Sequence, residues 1–91
     1  MNLKNQAMAG SLESSDVLVS VFPADGDMQI EIQSVVYDQF GKELEEMVLD
    51  VLKQFNVDNV KITLNDRGAL ECTVRARVET ALKRAGVEVD K

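Results

Sequence analysis

The chain alternates apolar and polar positions with two different periods, and the change of period marks out its elements. From Val17 it runs Val17, Leu18, Val19, Val21, Phe22, rich in β-branched side chains, and Pro23 stops the run. This is the signature of a strand. Residues 24–27 contain Asp25-Gly26 and read as a turn. Residues 28–33 then alternate strictly, with Met28, Ile30 and Ile32 on one face and Gln29, Glu31 and Gln33 on the other. The two runs are expected to pair as a β-hairpin with one wetted side.

The period then lengthens. Phe40, Leu44, Met47, Val48, Val51, Leu52 and Phe55 recur at helical spacing and form one apolar stripe, with Glu43, Glu45, Glu46 and Asp50 on the solvated faces. Ser34 or Asp38 is a suitable start and Asn56 a suitable stop. Gly41 inside the helix costs about 1 kcal/mol relative to alanine. The stripe outweighs that, since each buried apolar side chain contributes roughly 1.5–3 kcal/mol. Residues 60–64 alternate again as a strand, and residues 65–68 carry the turn Asn65-Asp66-Arg67-Gly68.

The last third reads two ways. Leu70, Cys72, Val74 and Ala76 alternate as in a strand, whereas Leu70, Val74, Val78, Ala81, Leu82 and Ala85 share a helical face. The favoured reading is a short strand over 69–73, then a helix to Ala85 ended by Gly86. The expected order is therefore β-β-α-β-β-α. It describes an α+β fold, a two-layer sandwich with two helices on one face of a small, mostly antiparallel sheet. A single domain is expected over 17–86, with a flexible N-terminal arm over 1–16 and a loose C-terminal tail over 87–91.

Composition narrows the function. Ninety-one residues, 45% hydrophobic and 29% charged, suit one globular domain with a thin core. No apolar run approaches the ~20 residues of a membrane span. The first ten residues lack the basic start and apolar stretch of a secretory signal, so a soluble cytoplasmic protein is expected. Lone Cys72 permits no internal disulfide and, between Leu70 and Val74, reads as a buried small hydrophobe. The formal charge is −6 and there is no histidine. An acidic chain is poorly suited to nucleic acid, which needs a concentrated basic face. Without histidine, the commonest general base and the commonest metal ligand are missing. The acidic residues of the first helix spread around it instead of converging, so no metal site is expected.

Two regions carry candidate chemistry. The segment Ser11-Leu12-Glu13-Ser14-Ser15-Asp16 places three hydroxyls just before the first strand. Its plain reading is an exposed loop with serines bonded to backbone. The alternative is a modified serine offered to another enzyme's active site. Spacing singles out none of the three. No adjacent base is present to activate one, so covalent chemistry there would be installed by a separate transferase. Arg67, Arg75, Arg77, Lys83 and Arg84 concentrate positive charge near the other end. They read either as solvated faces with weak surface ion pairs or, for Arg75 and Arg77, as contacts to a phosphate or an acidic partner. In a strand those two would form a clamp; in a helix they diverge by about 160°.

Three segments resemble one family. Ala9-Gly10-Ser11-Leu12-Glu13-Ser14-Ser15-Asp16-Val17 is similar to the A-G-T-L-E-S-x-D-V opening of citrate lyase acyl carrier proteins, the gamma subunits of that complex. Asp66-Arg67-Gly68-Ala69-Leu70-Glu71-Cys72, continued by Arg75-Ala76-Arg77-Val78-Glu79, resembles their D-[KR]-G-A-L-[DE]-C-x-x-R-A-R-[LV]-E. Gln39-Phe40-Gly41 matches their Q-F-G. Ser11 departs from the usual threonine. The resemblance implies a non-catalytic carrier with 2′-(5″-phosphoribosyl)-3′-dephospho-CoA attached covalently at Ser14 through a phosphodiester. A dedicated prosthetic-group transferase would install it from a triphosphate-activated precursor. The implied partners are an alpha subunit that transfers the acyl group and a beta subunit that cleaves citryl thioester to oxaloacetate, with acetyl and citryl thioesters held in turn on the arm. Malonate decarboxylase has a related carrier with the same group. A scaffold or regulatory subunit that only packs on a partner is the alternative outside the carrier class. The four-helix carriers of fatty-acid synthesis differ, since their D-S-L motif is absent here.

Overall fold

The structure, a computed structural model, describes residues 3–87 except 25, 27, 35 and 36, with backbone alone for 37–40. Its elements are β1 (Ala7–Gly10), β2 (Val17–Pro23), β3 (Gln29–Ser34), α1 (Tyr37–Gln54), β4 (Val60–Asp66) and α2 (Glu71–Arg84). The four strands form one sheet in the order β1-β2-β4-β3. β1 runs antiparallel to β2, and β2 antiparallel to β4, while β3 is parallel to β4. The fold class is the one expected, an α+β two-layer arrangement. The order of elements is β-β-β-α-β-α.

Pattern explains the layers. Val17, Val19 and Val21 of β2 and Val60, Ile62 and Leu64 of β4 are buried, while the residues between them are half-buried on the opposite face. Registration sets Val21, Ile62 and Ile30 in one row and Val19, Leu64 and Ile32 in the next. Against this face α2 covers β1 and β2, and α1 covers β3 and packs on α2. Leu44, Met47, Val48, Val51, Leu52 and Phe55 of the expected stripe are buried; Phe40's side chain lies outside the described part.

Both helices stop as their sequences indicate. Asn56 takes a left-handed φ of 55°, with bonds from Asn56 N to Lys53 O and from Val57 N to Leu52 O. Gly86, at φ 94°, does the same through Lys83 and Leu82. Both are Schellman stops, in which a left-handed residue lets two amides satisfy the last carbonyls. Of the proposed starts for α1, Ser34 ends β3 and its hydroxyl donates to Asp66; the Asp38 side chain is not described.

Three expectations are corrected. The runs at 17–22 and 28–33 do not pair as a hairpin, because β4 lies between them. Alternation identifies a strand's buried face but not its partner, and the connection through α1 returns the chain as a parallel neighbour of β3. No strand forms over 69–73. Val74 N bonds to Leu70 O and Glu71 already lies in α2, so the helical stripe of Val74, Val78, Ala81 and Leu82 prevails over the alternation. Finally, the segment expected as a flexible arm contributes β1, and its start is fastened by Lys4 N and Asn5 N to Ala85 O. Leu3 is buried there, as is Val87 in the expected loose tail; residues 88–91 lie outside the described residues.

Candidate functional site

β1 and β2 form a hairpin, with Gly10 opposite Leu18 in the register. Gly10 has φ 94°, and a Cβ there would collide with the Val17 carbonyl. Only glycine lets the chain pass this close to its partner strand and leave in that direction. Ser11 N then donates to Val17 O at 3.2 Å, closing the base of a loop over residues 11–16. At its tip Asp16 N donates to Glu13 O at 3.1 Å. That is a β-turn with Ser14 and Ser15 as the central pair. Ser15 sits at φ 64°, a left-handed position that favours glycine or asparagine.

Asp16 holds the turn in place. Its carboxylate accepts from the Ser11 hydroxyl at 2.7 Å, from Val17 N at 2.8 Å and from Arg77 Nε at 3.2 Å. The Ser11 hydroxyl first and then the Val17 amide, with a weaker pull from Arg77, hold the Asp16 carboxyl below its ordinary value of 3.8, against the opposing effect of burial. The Ser11 oxygen also accepts from Glu13 N at 3.2 Å. One carboxylate and one hydroxyl thereby tie together Ser11, Glu13 and Asp16 of the loop without using Ser14.

The junction from β4 to α2 lies alongside. Arg67 N donates to Asp16 O and Ser15 N donates to Arg67 O, each at 2.9 Å. These bonds carry the β2–β4 ladder past Val17 and Asp66 to the serine turn. Asp66 is almost wholly buried at 2% exposure. It accepts from the Ser34 hydroxyl at 2.8 Å, Gly68 N at 3.2 Å and Ala69 N at 2.9 Å. That satisfies the carboxylate and turns the chain sharply into α2. Beside it an apolar groove of about 410 Å³ runs between α1 and this junction, lined by Leu44, Met47, Ala69 and the 71%-exposed Leu70, with Glu43 and Glu71 at its rim.

Ser14 is exposed, at the tip of the turn. Arg77 lies next to the loop, 42% exposed and paired with Asp16. Arg75 does not join it: it reaches Asp50 of α1 at 3.2 Å. The two-arginine clamp does not exist, because α2 turns the two side chains apart. Cys72 is exposed on the first turn of α2, not buried. Gly10, Asp16, Asp66 and Arg67 carry the geometry, and residue spacing alone gave no sign of it. Their signal was the pair of family-like segments at opposite ends of the sequence, which the fold brings together. Among the described residues, no group of three or more histidine, cysteine or acidic side chains could hold a metal ion, and no helix is long and apolar enough to cross a membrane.

Comparison with known proteins places this arrangement. The family described as malonate decarboxylase delta subunit (MdcD), an acyl carrier family, matches residues 4–85. A citrate lyase acyl carrier protein of Treponema denticola is 42% identical over 93% of this chain and 97% of its own length. Those of Pectobacterium atrosepticum and Klebsiella pneumoniae are 45% and 46% identical, again over 93% of this chain, and over 88% and 89% of theirs. The chain belongs to the citrate lyase acyl carrier protein family. A solved structure gives the fold independently. A chain of a Pseudomonas malonate decarboxylase hetero-tetramer, in complex with malonate, superposes with a TM-score of 0.80 at 22% identity, over 94% of this chain and 89% of that one. As a member of the citrate lyase carrier family, the chain keeps both resembling segments at one end of the sheet. The serine turn and the Asp66-Arg67-Gly68 turn are two halves of one backbone-bonded structure.

Proposed function

We propose that the chain is the acyl carrier subunit of a citrate lyase, with 2′-(5″-phosphoribosyl)-3′-dephospho-CoA attached at Ser14. The observation that carries this reading is the contrast within the loop. Ser11, Glu13, Ser15 and Asp16 are each held by bonds to Asp16, Ser11 or Arg67, while the Ser14 hydroxyl is exposed and makes no hydrogen bond among the described residues. Such a hydroxyl enters a transferase's active site without unfolding anything. Ser14 Oγ becomes bonded to the phosphorus of a triphosphate-activated precursor, the bond to pyrophosphate breaks, and the transferase takes the hydroxyl proton.

The residues present fit the group. A phosphodiester needs an accessible hydroxyl and gains from nearby cations, and Arg67 and Arg77 both lie beside the turn. When bound, the group supplies a thiol that holds the acyl chain as a thioester, so exposed Cys72 has no required part. In this reading the chain positions the arm and the partner subunits carry out the chemistry. A covalent arm keeps its cargo at high effective concentration for two active sites in turn. The partners in this reading are the alpha and beta subunits and the prosthetic-group transferase, and the compartment is the cytoplasm.

The test is reconstitution of the complex with Ser14→Ala or Ser15→Ala chain. Ser14→Ala should fold normally, assemble and give no citrate cleavage, while Ser15→Ala retains activity. Full activity with both variants would leave only a packing role for this subunit, and loss of activity with Ser15→Ala alone would move the attachment to Ser15.

A further inference from the structure

The chain's four arginines are not equally available. Arg75 is paired with Asp50, Arg77 with Asp16, and Arg84 donates to the Met8 carbonyl at 2.9 Å. Arg67 is exposed, and its guanidinium has no partner among the described residues. Its backbone, in contrast, is the most firmly placed next to the serine turn. Its amide donates to Asp16 and its carbonyl accepts from Ser15, one residue from Ser14. The root of this side chain is fixed beside the turn, yet its charge is not consumed within the fold.

We propose that Arg67 is the residue that binds the phosphate of the group on Ser14, and that Arg75 and Arg77 do not. This rests on Ser14 being the attachment point. Asp66 fixes the other side of Arg67 through its bonds to Gly68 N and Ala69 N. The guanidinium thus projects from a backbone anchored on both flanks, and only the side chain's own freedom is lost when it meets the phosphate. Arginine's planar fork suits two phosphate oxygens at once. Arg67 also forms one wall of a shallow recess of about 280 Å³ whose other sides include Gln33 and Asn65. Their amides offer the donors and acceptors that a ribose hydroxyl requires. Arg77 already neutralises Asp16, and recruiting it would loosen the loop that presents Ser14.

The experiment compares the ¹⁵N-labelled wild-type chain before and after loading by the transferase. Intact mass and peptide mapping establish loading at Ser14, and the arginine Nε–Hε signals are followed by NMR; Arg67→Lys identifies the Arg67 signal. Loading should shift the Arg67 signal and slow its exchange with water, leaving the Arg75 signal unchanged. Arg67→Gln should load about tenfold more slowly, as expected for loss of one charge-assisted contact, with an unchanged melting temperature. Arg67→Lys should recover part of that rate, and Arg75→Gln should load normally. An unshifted Arg67 signal in a chain shown to be loaded at Ser14 overturns the proposal and leaves the carrier reading intact. A wild-type chain that gains no mass at Ser14 overturns both.

Discussion

Replacing Gly10 by alanine probes the geometry on which the serine loop depends. Two effects add at this position. Alanine at φ 94° pays the left-handed penalty, about 1–2 kcal/mol. The new methyl also collides with the Val17 carbonyl, so the backbone must move and the Ser11–Val17 hydrogen bond is lost, about 1 kcal/mol more. The same methyl would touch Arg77 Cδ at 3.4 Å, an ordinary van der Waals contact, so the clash is with the Val17 backbone. The expected loss is about 2–4 kcal/mol. For a domain of this size that lowers the melting temperature by roughly 10–25 °C. Gly68→Ala is the matched control: its φ is 89°, but nothing lies within 4 Å of the added methyl. It should lose only the conformational part, about 1–2 kcal/mol. Thermal and urea melts of both variants measure the difference, and amide exchange at Ser11 reports the broken bond directly. Equal losses for the two variants would refute the close approach of Gly10 to Val17.

Three further outcomes follow from the same structure. Asp66→Ala leaves the Ser34 hydroxyl and the Gly68 and Ala69 amides without their buried acceptor; urea unfolding should show a loss of about 2–4 kcal/mol, and a change under 1 kcal/mol would contradict the anchoring role. Because the Asp16 carboxyl is held below 3.8 in the folded chain, the stability it contributes is complete above that pH and fades as pH falls through the folded value. Melts between about pH 2 and 6 should therefore show a wild-type acid limb that is shallower in Asp16→Asn, and parallel limbs would count against the Asp16 network. Cys72, exposed on α2, should react with a thiol reagent in the folded chain at a rate independent of denaturant, and Cys72→Ser should change stability by less than about 0.5 kcal/mol; labelling only on unfolding would place the thiol inside.

Much of the scaffold was legible from local pattern. The stripe from Leu44 to Phe55, the buried faces of β2 and β4, and the stops at Asn56 and Gly86 each depend on neighbours a few residues away, and periodicity reports such neighbours well. Pairing was not legible, because Met28, Ile30 and Ile32 name a face without saying whether β2 or β4 lies beside it. β1 was hidden for a different reason. Ala7-Met8-Ala9-Gly10 is short and weak in strand propensity, and forms a strand because β2 and α2 cover it. At residues 70–76 two periods overlapped, and only packing of Val74 and Val78 into the core chose the helix. The site shows the same division. Ser14 was reachable through the resemblance of its segment, whereas the bond between Asp16 and Arg77, 61 positions apart, has no local trace. Arg67 was read as one of several basic residues, and became distinct only when its backbone was seen bonded to the serine turn.

A carrier role for this chain requires an acyl arm on Ser14. Intact mass and peptide mapping of the protein purified from its own host during growth on citrate test it most directly. A carrier should show a mass increase equal to phosphoribosyl-dephospho-CoA, confined to the peptide containing Ser14 and lost in Ser14→Ala. An unmodified chain recovered from an active complex, or the same increase on a different peptide, would contradict it.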